Sequence, residues 1–196
     1  MAEDDPVRLD TRLSGQLQRY HTWPTIGIQT VGEHCWQILR IYLSVAEAPS
    51  LDIIRYIVFH DVGETATGDL PYPVKAKNPV LKEEVDVIES KSIAEQLQYW
   101  DTKFINLSFE SKAFFKQIEL VEMAEFGMDQ MNLGNSHGFI IADRCLRKVF
   151  EGHVHGRIAG YVMKRLNMFY DQYNLGIQPF TAIDEWWYAE KWRKFI

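Results

Sequence analysis

The apolar residues of this chain recur every three or four positions and almost nowhere every second one. Such spacing predicts helices, because a period near 3.6 lines one helix face whereas strict alternation lines one side of a strand. Val31, Cys35, Ile38, Leu39, Tyr42 and Val45 form the first stripe. Thr30 followed by Glu33 has capping-box spacing, so a helix is expected over about 31–46. Pro49-Ser50 then punctuates the chain, and Ser50 caps an expected second helix whose Leu51, Ile53, Ile54, Ile57 and Val58 predict burial. That helix is expected to end near Gly63 to Gly68. Asn78-Pro79 places proline at a first helical position and opens a charged helix to about residue 98. Further helices are expected over about 110–131, 136–151, 155–173 and 182–194. With no Asn-Gly hairpin turn and no internal repeat, the expected fold is all-α, in a single domain over 1–196.

Composition narrows the setting. An apolar content of 46% over 196 residues suffices for a true core, so disorder is excluded. Cys35 and Cys145 are too few for a disulfide scaffold and lack metal-ligand spacing, which favours a reducing compartment. No stretch approaches the roughly 20 apolar residues that cross a bilayer, and MAEDDPVRLD lacks the features of a signal peptide. The expectation is a cytoplasmic protein without membrane contact, in the host cytoplasm if it is phage-encoded. A net charge of −6 argues against nucleic acid as a partner, since that footprint is clustered Lys and Arg.

The chemistry concentrates in FHDVGETATGDLPYPVK, residues 59–75. His60 stands three residues from Ile57 on a helix expected to be buried, Asp61 adjoins it, and Glu64 is expected one turn later. Buried imidazole and carboxylate groups are costly unless paired or metal-bound, and a divalent ion favours neutral His beside ionised Asp. His34, near the start of the first long helix, is a distant candidate ligand, although one such His by itself is more often a satisfied core residue. His137, His153 and His155 fall outside the pattern, as surface or cap residues.

The order His34, His60-Asp61, Glu64, Gly68-Asp69 and Pro71 resembles the HD-domain metal-dependent phosphohydrolases, and within them the 5′-deoxynucleotidase branch. TVGEHCWQ is similar to that branch's first-ligand helix, residues 59–75 to its signature, and Arg19-Tyr20-His21 to its substrate loop. The resemblance spans about residues 12–150, leaving the segment with WWYAEKW unmatched. It implies a helical bundle and a divalent cation, Mn, Co, Zn or Mg, held by His34, His60, Asp61 and one later carboxylate. Two positions compete for that last ligand. Asp143 lies in a literal Ala-Asp, whereas Glu119 lies fifteen residues ahead of Gly134-Asn135, as the family's Asp lies ahead of its Gly-Asn. Glu119 is preferred; Asp143 can instead pair with Arg144 or Arg147.

The implied reaction is hydrolysis of phosphate from deoxynucleotides, either a 5′-monophosphate or, as in similar phage enzymes, the triphosphate of dATP. Glu64 is then placed to orient water or move its proton, and by the resemblance Asp69 accepts from the sugar 3′-hydroxyl. Arg19 would hold phosphate through its planar fork, with Lys75 as a second cation for a longer chain. Thr22, with His21, Trp23 and Ile26, would line a base pocket. Tyr20 replaces the branch's usual Trp against the sugar, so strictness for deoxyribose does not carry over. A phosphodiesterase on the same fold and a non-catalytic nucleotide-binding regulator are the alternatives; no spare His between 60 and 120 serves a second metal, and a regulator has no evident need of Glu64. Trp186, Trp187, Tyr188, Trp192 and Phe195 crowd the expected last helix with more apolar surface than one face can bury, which predicts a homo-oligomer.

Overall fold

The structure, a computed structural model, describes residues 11–172 except 100, 104 and 152, and except the side chains of Tyr72, Tyr170 and Gln172. The helix expected over 182–194 and the aromatic cluster on it lie outside the described residues. The elements run α1 (Thr11–Ser14), β1 (Gln18–Arg19), β2 (Gln29–Thr30), α2 (Val31–Val45), α3 (Leu51–Phe59), a 3-10 turn (Val62–Thr65), α4 (Tyr72–Lys77), α5 (Pro79–Tyr99), α6 (Phe109–Asn132), α7 (His137–Phe150) and α8 (Gly156–Gln172). The fold is all-α; among the described residues the one sheet is the antiparallel β1–β2 pair, with Gln18 opposite Thr30 and Arg19 opposite Gln29. No helix among the described residues is long and apolar enough to cross a membrane.

Local chemistry explains the starts. Thr30 and Glu33 close the capping box: the Thr30 amide donates to Glu33 Oε2 at 2.8 Å and the Glu33 amide to Thr30 Oγ1 at 3.2 Å. Ser50 Oγ accepts from the Asp52 amide at 3.2 Å at the head of α3. The end of α3 departs from expectation. It stops at Phe59 with His60 as its C-cap, and Glu64 sits on the separate 3-10 turn rather than one turn farther along the same helix. Asp61 makes the break, with φ −100° and ψ 6°, in the sparsely allowed bridge region.

Two compact units are present. Among the described residues, one comprises 11–40 together with Pro49–Phe109, and the other Ile41–Ala48 with 110–172. In the first, Val62, Ile93 and Leu97 form a buried cluster with Phe59 packed against it, so the 3-10 turn is tied to α5 by apolar burial. Fully burying each such side chain contributes about 1.5–3 kcal/mol. In the second, α6 and α7 meet through glycines. A Cβ on Gly127 would lie 2.6 Å from the Gly138 carbonyl oxygen and 2.7 Å from the Ala142 amide nitrogen, a separation only Gly permits.

Candidate active site

Three ligand-bearing side chains converge in the first unit. Each of His34, His60 and Asp61 offers one donor atom, and these atoms all lie within 4.8 Å of one another. The capping box sets the start of α2, which puts His34 at its fourth position, wholly buried. His34 Nε2 is 3.8 Å from Asp61 Oδ2, and the two imidazole rings are 5.8 Å apart. His60 Nδ1 lies 2.9 Å from the Ile57 carbonyl oxygen, which makes Nδ1 the protonated nitrogen and turns Nε2 toward Asp61 Oδ1 at 3.1 Å. A backbone acceptor that selects the tautomer in this way is the usual outer support of a metal-binding His.

The charges agree with that geometry. Burial works against an imidazolium at His60, but Asp61 outweighs it and raises the group well above its ordinary value, with the Cys35 thiol adding. Burial likewise opposes ionisation of Asp61, and His60, followed by His34 and Arg19, holds that carboxylate far below its usual range. The site is therefore built for positive charge beside Asp61. Two imidazoles and a carboxylate around one point, with His34 buried and the other two partly so, suit a first-row divalent cation, so the residues fit the expected metal.

Glu64 is pushed up to about 9, first by burial and then by the charges of Asp61 and Asp69. Its Oε2 is buried without a hydrogen-bond partner. Arg19, at the end of β1, is only 10% exposed and places a guanidinium nitrogen 3.7 Å from Asp61 Oδ2. Its guanidinium carbon sits 5.7 Å from the Tyr20 ring centroid, and Tyr20 adopts φ 56°, a left-handed conformation that is strained for a side chain of this size. Thr22 and His21 are exposed on the loop between the strands, with Trp23 half-buried and Ile26 exposed. Lys75, on α4, donates to Glu89 Oε1 at 3.2 Å.

Expected ligands in the second unit sit as follows. Glu119 lies on α6 and accepts from Lys116 at 2.7 Å, while Asp143 on α7 accepts from Arg147 Nε at 2.8 Å, the pairing expected for a helix-surface charge. His137 opens α7 and His155 is exposed beside α8, as expected for histidines outside the site.

The helix read as merely charged proves to hold the turn. Gln96, almost fully buried on α5, donates to Thr65 Oγ1 at 2.6 Å and to the Val62 carbonyl at 3.3 Å, and Glu89 accepts from Thr67 Oγ1 at 2.9 Å. Ser92 lies between them, 3.0 Å from Gln96 Nε2. The i, i+3, i+7 spacing of Glu89, Ser92 and Gln96 was the available signal, a polar stripe on one face of the helix.

A family model described as 5′-deoxynucleotidase YfbR-like matches residues 16–125, which include every one of these first-unit residues and Glu119. A 5′-deoxynucleotidase of Photobacterium profundum is 23% identical over 184 aligned residues, covering 84% of this chain and 92% of that protein. With the family model matching more than half of the chain, around a His-His-Asp cluster, the chain belongs to the YfbR-like 5′-deoxynucleotidase family of HD-domain hydrolases, which act on phosphate esters.

Proposed function

We propose that the protein hydrolyses the 5′-phosphate of a deoxynucleoside monophosphate with a divalent cation held by His34, His60, Asp61 and Glu119. The convergence of His34, His60 and Asp61 carries this reading, together with the name of the relative from Photobacterium profundum. When bound, the cation neutralises phosphoryl oxygens and makes water a stronger nucleophile. The chain's residues supply the rest. Asp61 anchors Arg19, whose flat fork meets two phosphate oxygens at once. Glu64 holds a proton near neutral pH and can pass it across the site, since burial and the neighbouring carboxylates favour its neutral form. Asp69 accepts from the sugar 3′-hydroxyl, Tyr20 and Thr22 face the sugar and base, and Lys75 stands by for additional phosphate.

Incubating the purified protein with deoxynucleoside mono-, di- and triphosphates and Mn²⁺, Co²⁺ or Mg²⁺, and identifying the released phosphorus species, tests the proposal. Orthophosphate from a monophosphate is the expected product; tripolyphosphate from dATP would assign the phage-type reaction instead. We also propose a homo-oligomer, an idea that a monomer by light scattering at micromolar concentration would end without touching the hydrolytic reading.

A further inference from the structure

Glu89 points a charge at Lys75 from a helix that cannot retreat. Its side chain is 17% exposed, and its single oxygen Oε1 accepts from both Thr67 and Lys75, the residues on either side of the Gly68-Asp69 bend. The Glu89 backbone is itself fixed, because a Cβ on Gly63 would come within 2.8 Å of the Glu89 carbonyl carbon and 2.9 Å of its Cα. Asp69 also draws on the Lys75 ammonium, as Glu64 does when ionised.

We propose that Glu89 is a specificity-determining residue that acts through Lys75 to set the length of phosphate chain the site accepts. This rests on the phosphohydrolase reading given above. An ammonium has three N–H donors but one unit charge. While Glu89 engages it, little of that charge is left for a second or third phosphate. A monophosphate held by Arg19 does not meet this penalty.

Glu89→Gln keeps an oxygen acceptor for Thr67 and Lys75 and removes the charge. The kcat/KM ratio of dATP to dAMP should rise about fivefold, roughly 1 kcal/mol for a partly exposed pair. Placed in Lys75→Met, the same change should leave the ratio where Lys75→Met alone puts it, because the effect travels through the amine. Glu89→Asp, which keeps the charge, should stay nearer the wild-type ratio. An unchanged ratio in Glu89→Gln, or an equal rise with and without Lys75, overturns the proposal. Titration calorimetry of tripolyphosphate on wild type, the two single variants and the double variant makes the comparison without turnover. Binding should tighten in Glu89→Gln alone, and the gain should vanish without Lys75. A protein that cleaves no nucleotide sinks the functional reading, while the calorimetry still decides the role of Glu89.

Discussion

Gly63→Ala tests whether the contact between the 3-10 turn and α5 sets the position of Glu64. The new methyl group would meet the carbonyl carbon of Glu89 at 2.8 Å and its Cα at 2.9 Å, with the Glu89 carbonyl oxygen nearer still. These are backbone atoms of a long helix, so no rotamer change relieves the clash. Restoring ordinary contact requires the turn or the helix to move by at least about half an ångström, and overpacking of this kind costs about 1–3 kcal/mol. At about 2 kcal/mol the thermal midpoint should fall by roughly 4–8 °C for a chain of this size. Activity should fall further than stability explains. Glu64 adjoins Gly63, and misplacing a reacting group by about 1 Å costs about 100-fold, so kcat on a deoxynucleoside monophosphate should drop about 10- to 100-fold at a temperature where the variant remains folded. Gly68→Ala is the control: its φ of 73° makes any side chain strained, by about 1 kcal/mol, yet nothing lies within 4 Å of the new carbon. It should melt slightly lower and retain more activity than Gly63→Ala. A Gly63→Ala protein with the midpoint and turnover of the wild type would show that the contact with α5 does not set the position of Glu64.

Glu119→Gln preserves side-chain size and removes the charge; it should weaken metal binding by about tenfold or more and abolish most turnover, whereas Asp143→Asn, whose native partner is Arg147, should keep its metal. Metal analysis showing the reverse pattern would make Asp143 the ligand. Chelation should cost at least about 100-fold in activity, with Mn²⁺ or Co²⁺ restoring it, and full turnover by metal-stripped protein would sink the hydrolytic mechanism. Burial pushes the Cys145 thiol up to about 12, so it should resist alkylation at pH 8–9 in the native protein while half-buried Cys35 reacts; equal labelling of both would contradict the described core. A group raised in the folded state stabilises below its unfolded value, so this contribution from Cys145 should fade as pH climbs above about 9, which alkaline melting curves would reveal.

Most of the helical layout was legible in the sequence, because local signals dominate where each helix begins. Thr30-Glu33, Ser50 and Asn78-Pro79 are starts readable within a few residues, and α2, α3 and α5 begin where they predict, while α6, α7 and α8 begin within one residue of the expected 110, 136 and 155. His34, His60 and Asp61 were legible as candidate ligands through the resemblance of their order along the chain to the HD-domain motif. Their convergence was not, since His34 and His60 are 26 positions apart and only packing brings their rings to 5.8 Å. The break after Phe59 was also a tertiary decision. Residues 59–64 carry no helix breaker stronger than Gly63, and that glycine is required by the Glu89 backbone pressing on it from another helix. The roles of Glu89 and Gln96 likewise came from the partner surface: on a helix rich in charge, only the neighbour it meets separates a residue that holds the turn from one that faces water.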